Sequence, residues 1–240
     1  MQQQLQELIK VYEGLDYKKQ DLDWLVYGRI KFQSHVNGEL VEPDYEIKMN
    51  IPSIFPRELP SIWEVGGKIE RLPKNHIYSD TGCLCLGTKV ACHMKAIESK
   101  TILAFTNEQV APFLAGYTYV HEYEGDWPYG ELSHDDTGIF EYYQNYFRVT
   151  NYRLVLDLLY LVKSGKFKQI NKHNSCVCGS GESFKKCCYK RMSALYKPIL
   201  MNEVNLNFHQ CLSYINRITT PTKISQSINQ KTPENENIFR

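Results

Sequence analysis

Most of the chemistry this sequence could do rests on eight cysteines: Cys83, Cys85 and Cys92; Cys176, Cys178, Cys187 and Cys188; and Cys211. The second group places four thiols within thirteen residues, Cys176-Val-Cys178-Gly-Ser-Gly-Glu-Ser-Phe-Lys-Lys-Cys187-Cys188. Four thiolates can close a tetrahedron around a zinc ion, and a shell with no open position marks a structural site. Gly179 and Gly181 let the chain turn tightly after the first pair. Lys185 and Lys186 beside the second pair lower the cost of clustering thiolates. In the first group a thiol such as Cys85 can serve as a nucleophile. A free thiol of pKa about 8.5 is mostly protonated at neutral pH, so a neighbouring base helps. His121 and His134 are candidates, with Asp126 and Glu131 able to orient a histidine or act as a base themselves. His134 is preferred because it shares a loop with Glu131. The same thiols allow two other readings. Cys85 could be a core cysteine, or Cys83-Leu-Cys85 and Cys92-His93 could hold a second zinc ion, leaving no free nucleophile.

The elements that must position these residues are partly legible. Leu5, Leu8, Ile9 and Tyr12 fall at helical spacing, and Gly14 closes that helix. Alternation predicts strands over Trp24–Gln33 and Tyr45–Ile51, with a turn at Asn37-Gly38. Pro52, Pro56 and Pro60 break regularity, and Ser61–Val65 reads as a third strand. Pro73–Gly87 is irregular. Thr101–Tyr119 is partly helical, with Pro112 starting, kinking or ending something. Residues 121–138 read as a loop. Asn151–Lys163 is a helix stopped at Gly165, and Ser193–Ile215 forms one or two helices. From Thr219 the chain is polar and expected to be disordered.

Composition narrows the class. With 240 residues, 42% hydrophobic and 23% charged, the chain can bury a core, which excludes collagen, a coiled coil and a wholly disordered chain. No apolar run reaches the ~18–20 residues of a membrane helix. No secretory leader is visible after Met1, so a cytoplasmic protein without a membrane partner is expected. Reducing conditions there argue against disulfides. The net charge of +1 hides an asymmetry. Residues 1–150 hold 14 basic and 22 acidic side chains, a net of −8, whereas 151–240 hold 14 and 5, a net of +9. Lys163, Lys166, Lys168, Lys172, Lys190 and Arg191 could meet nucleic acid, a ribosome or an acidic protein face across 163–191, or form a solvated face. Dinucleotide, phosphate-loop, zinc-protease and serine-hydrolase motifs are absent.

Two segments resemble known families. Residues 173–190 resemble the SEC-C motif, a zinc knuckle of many bacterial proteins, through Cys-x-Cys-Gly-Ser-Gly and Phe-Lys-Lys-Cys-Cys. The resemblance implies one structural zinc ion held by Cys176, Cys178, Cys187 and Cys188, with His173 a bystander, in a docking element. Residues 1–150 resemble ubiquitin-conjugating enzymes in the order of helix, antiparallel strands, Phe55-Pro56 turn with Pro60, then His76 ahead of Gly82-Cys-Leu-Cys85-Leu86. That implies a thioester on Cys85, with His76 matching the histidine of the family's His-Pro-Asn motif. The family's Pro and Asn are replaced by Ile77 and Tyr78, so the asparagine's part in stabilising an oxyanion must move or be missing. The segment Gly125 to His134 looks like bacterial relatives, some of them encoded in anti-phage operons.

The expectation is therefore an α+β protein. Its parts are a ubiquitin-conjugating-enzyme-like domain at 1–150, an antiparallel meander with flanking helices, then a connecting helix (151–172). A zinc knuckle (173–191), a helical segment (192–218) and a tail (219–240) complete it. Its catalytic residues are Cys85, His76, His134 and Glu131. Its partners are a ubiquitin-like donor with a glycine tail, a separate activating enzyme and a target protein. A catalytically inactive binding module of the same fold and a nucleic-acid or ribosome adaptor are the alternatives.

Overall fold

A computed structural model describes residues 1–133 and 135–219. It is an α+β molecule built on a four-stranded antiparallel sheet with several helices. Helix α1 (Gln2–Val11) buries Leu5 and Leu8. Strands β1 (Leu15–Gln20), β2 (Asp23–Lys31), β5 (Asp44–Ile51) and β6 (Ser61–Glu64) pair in that order. Between β2 and β5, β3 (Ser34–Val36) and β4 (Glu39–Val41) form a separate hairpin. Asn37-Gly38 is the tip of that hairpin, both residues at positive φ, as a two-residue turn of the right twist requires. The turn therefore closes this small hairpin instead of joining β2 directly to β5.

Alternation sorts the sheet's two faces. In β5, Tyr45, Ile47, Met49 and Ile51 are buried while Glu46 and Lys48 face outward. That inner face packs against α1 and against a long helical run: α3 (Ile102–Phe105), one π-helical stretch (Thr106–Val110) and α4 (Ala111–Tyr123). Pro112 sits inside this run, just past the π-helical stretch, where its missing N–H removes one bond of the ladder.

A second core lies C-terminal to the first. It is made by α5 (Asp135–Phe147), α6 (Tyr152–Ser164), α7 (Cys188–Leu195) and α8 (Pro198–Thr219). Asn151 caps α6 by accepting from the Leu154 amide, and Gly165 ends it in the left-handed conformation. Phe140, Tyr143 and Phe147 of α5 belong to this second core, although they precede residue 150. Helix α2 (Lys89–Ser99) joins the two cores: Ala96 is buried in the first, and Val90, Met94 and Ile97 pack in the second.

The expected loop over 121–138 is corrected at both ends. Helix α4 runs on to Tyr123 and α5 begins at Asp135, leaving a loop of 124–133 among the described residues. Gly138 explains why that loop can lie on α5, since a Cβ there would stand 1.7 Å from the Ser133 carbonyl oxygen. The expected tail over 219–240 falls, apart from Thr219, outside the described residues, as does His134. Among the described residues no helix is long and apolar enough to cross a membrane.

Candidate active site and candidate metal centre

The segment expected to be irregular between β6 and α2 is a short hairpin on the sheet edge. The Leu84 amide donates to the Ile62 carbonyl, and Trp63 bridges Cys83. Ile77 pairs with Leu84, the Tyr78 amide donates to Cys83, and the Cys85 amide donates to His76 at 2.7 Å. Alternation then separates two kinds of side chain. Ile77 and Leu84 turn into the first core. His76, Tyr78 and Cys85 turn the other way and line a cleft of about 1150 Å³. Gly82, at positive φ, makes the turn between them, its amide donating to the Tyr78 carbonyl.

The cleft is closed on its far side by the 124–133 loop and by α8. Trp127 packs on Phe113 (ring centroids 5.6 Å) and on His76 (4.6 Å). Ser133 fastens the loop's other end to α5, its amide and hydroxyl donating to the Glu141 carboxylate at 2.7 and 2.6 Å. Glu131, held between these anchors, meets His76 Nε2 at 2.9 Å. His76 is 13% exposed and Glu131 58%, so the imidazole is held from both sides while the carboxylate stays wet. A histidine fixed by a carboxylate and a tilted indole ring has one orientation from which to exchange a proton. Glu108, Glu131, Asp135, Asp136 and Glu203 line the cleft against Lys89 and Arg217, which makes it acidic.

Of the expected catalytic residues, Cys85, His76 and Glu131 meet at this cleft, and His134 falls outside the described residues. His121 is elsewhere: its Nε2 is hydrogen-bonded to the Tyr117 hydroxyl at 2.6 Å, on the same helix. Asp126 does not line the cleft. Tyr78 was not expected as a site residue. It stands diagonal to Cys85 on the same hairpin face, and its pKa is pushed above tyrosine's ordinary range by desolvation, then by Cys85, Cys92 and Cys83. Strand alternation two residues on from His76 is the signal that could have found it.

The other thiols nearby behave differently. Cys92, 7% exposed on α2, is pushed up to about 12 by burial and then by Cys85, so it is a neutral thiol at physiological pH. The second metal site expected as an alternative, from Cys83, Cys85, Cys92 and His93, is not formed: among the described residues only one group of three or more such side chains gathers closely enough to share an ion. Cys92 and His93 are neighbours on a helix, about 100° apart around its axis, and cannot both face Cys85.

That one group is Cys176, Cys178, Cys187 and Cys188, whose sulfurs all lie within 4.8 Å of one another. The chain that makes it turns at Gly179 and Gly181, both at positive φ, and returns so that the Cys176 amide donates to the Glu182 carbonyl. Cys187 precedes the first residue of α7, Cys188. Phe184, fully buried, anchors the turn on Tyr189 at 5.7 Å. The Cys187 sulfur lies 3.5 Å from Cys178 and 3.8 Å from Cys188, accepts from the Ser180 hydroxyl at 3.4 Å, and has Arg191 Nη1 at 3.8 Å. Burial raises the Cys176 and Cys188 thiols. Burial also opposes ionisation of Cys178, but donors led by Ser180 outweigh it and bring that thiol down to about 7. Four sulfurs in this space cannot all ionise without a cation to share them. The group can hold a metal ion, and His173 stands outside it.

The lysines nearby are partly engaged. Lys163 lies over Phe208, Lys166 over Tyr160, Lys168 over Tyr196 and Lys172 over Tyr189, at 3.9 to 5.3 Å from the ring centroids. Their stems cover the aromatic surface of the second core rather than standing as a free basic row. No family model, curated protein or solved structure matches the chain.

Proposed function

We propose that the protein is a ubiquitin-like conjugating enzyme that carries an acyl tail as a thioester on Cys85 and passes it to a target amine. The observation that carries this reading is the placement of Cys85 on the cleft face of the 76–85 hairpin, beside Tyr78 and across from the His76–Glu131 pair. Support for a conjugating-enzyme-like fold comes from the order of α1, the antiparallel strands β1-β2-β5-β6, a cysteine hairpin on the last strand's edge, and then a helix. An acidic cleft suits a cationic amine acceptor, and Glu131 with His76 can take the proton that the amine must lose. The donor is a protein with a glycine tail that reaches Cys85 already activated or through a separate activating enzyme, since the chain shows no adenylating motif. A place in a bacterial anti-phage system rests on the resemblance of the 125–134 segment alone.

The four-cysteine group holds one structural zinc ion in this reading. Thiolates at ~2.3 Å on a tetrahedral ion stand about 3.8 Å apart, and two of the observed separations are 3.5 and 3.8 Å. Because Cys176, Cys187 and Cys188 are buried in the second core, the ion staples that core as well as presenting any docking surface.

Intact-protein mass spectrometry, on protein co-expressed with its genomic neighbours, tests both halves. The wild type should carry one zinc ion and an adduct on Cys85 that hydroxylamine removes, and Cys85→Ser should trap it as a stable ester. Two zinc ions, one of them lost in Cys85→Ser, would make Cys85 a ligand. One zinc ion and no adduct would assign the cleft to a binding module of the same fold.

A further inference from the structure

Tyr78 is the group on the cleft face with no task in thioester chemistry assigned to it above. It stands on the same hairpin face as Cys85, diagonal to it across the strand pair, and both line the cleft. We propose that Tyr78 is a catalytic residue, the hydrogen-bond donor that stabilises the oxyanion formed when a carbonyl carbon bonds to Cys85. The assignment rests on the thioester reading above and adds the residue that would make it work without an asparagine.

Cys85 first loses its proton to solvent, and the thiolate adds to the carbonyl carbon of a glycyl thioester. A carbon–sulfur bond forms and the π pair moves to oxygen. That oxyanion accepts a hydrogen bond from the Tyr78 O–H, whose proton stays on Tyr78. Collapse restores the carbonyl and breaks the bond to the donor's sulfur, which leaves as thiolate. In the second half an amine nitrogen adds to the same carbon, Cys85 leaves as thiolate, and the nitrogen's extra proton passes to the base or to solvent. Each half raises the negative oxygen once, close to the same sulfur, so one fixed donor serves both.

A donor for this task must stay protonated beside a thiolate. Desolvation and the thiols around it hold Tyr78 in its O–H form through the physiological range, so the donor is present whenever Cys85 is ionised. The ring is 45% exposed, which leaves its edge open to an arriving acyl group. His76, the other polar side chain on this face, is held by Glu131 and suits proton transfer instead.

The test uses the full chain and the S-benzyl thioester of N-acetylglycine as probe, with iodoacetamide as a second electrophile. Acylation passes through an oxyanion; alkylation does not. Acylation and alkylation rates at Cys85 are read by mass spectrometry for wild type, Tyr78→Phe and Cys85→Ser, with thermal midpoints as the folding check. Tyr78→Phe keeps the ring and its packing. Its acylation rate should fall about 100-fold, the usual loss for one oxyanion donor. Its alkylation rate should change by less than about threefold, the worth of one weak thiol hydrogen bond. An unchanged acylation rate would overturn the assignment, and so would an equal fall in both rates, which would place Tyr78's effect on the thiol itself. A wild-type Cys85 that alkylates normally but takes up no acyl group would overturn the thioester reading, and the Tyr78 assignment with it.

Discussion

The two cysteine-bearing segments start alike and end differently. Cys83-Leu-Cys85 and Cys176-Val-Cys178 both place two thiols two residues apart. After Cys178 the chain meets Gly179 and Gly181 at positive φ and doubles back, so that Cys187 and Cys188 return to the first pair. After Cys85 the chain passes Gly87 and Thr88 and enters α2, with the Thr88 hydroxyl accepting from the Ala91 amide. A helix sends adjacent residues in different directions. Cys92 goes into the core while Cys85 stays at a cleft. The residues after a Cys-x-Cys pair therefore decide whether its thiols gather with others within reach of one ion or stand at a cleft.

That contrast can be broken most sharply at the metal group. Cys188→Ser should abolish bound metal and destabilise the second core by at least about 3 kcal/mol, because binding energy at such a site is folding energy. Metal analysis and thermal unfolding with and without a chelator check this. Cys83→Ser, by contrast, should leave one ion bound; loss of that ion would erase the distinction.

At the cleft the balance of function and stability is reversed. Cys85→Ser should remove the thioester entirely while changing stability by less than about 0.5 kcal/mol, since the side chain stands at a cleft surface. Cys92→Ser should do the opposite. It buries a hydroxyl in place of a thiol at a 7% exposed position, costing about 1–2 kcal/mol, and leaves the acylation rate within about twofold of wild type. Urea unfolding beside the acylation assay separates the two variants. A Cys92 variant that lost acylation at full stability would show that the buried thiol takes part.

The four-cysteine group was legible because its signal is local: four thiols and two turn glycines within thirteen residues specify the geometry between them. The strands β2, β5 and β6 were legible through alternation, since one face of each strand is buried and the other wet. Helix α2 was not expected because Cys92 and His93 read as ligands, although Val90, Met94 and Ile97 fall at helical spacing and pack on the second core. Helix α5 was missed because Gly138 and its tyrosines hide the period; Gly138 is there for the approach of Ser133, a tertiary demand. Tyr78 stood in plain view as a departure from a motif, but only the hairpin register puts it on the same face as Cys85, diagonal to it across the pair. His76 and Cys85 share one hairpin, but Glu131 comes from a separate segment, so its meeting with them depends on the loop that Trp127 and Ser133 pin down.

The smallest expected effect concerns His93, the residue that would have completed a second metal site. Both its ring nitrogens are shielded from solvent without a hydrogen bond of good geometry. Its pKa is lowered, by burial first, with Glu203 and Lys89 exerting opposite pulls on it. Folding therefore favours neutral His93, whereas the unfolded chain's histidine titrates near 6.5. Below that value the unfolded state binds the proton more readily, so stability present at pH 7 to 8 declines as pH falls through the unfolded pKa. His93→Phe keeps a ring and removes the titration. The expected result is a shallower loss of thermal stability between pH 7 and 5 in His93→Phe than in wild type, with bound metal unchanged at one ion. Equal slopes would show that His93 is solvated enough to charge in place. A lower metal content in His93→Phe would join it to a thiol site and undo the contrast between the two segments.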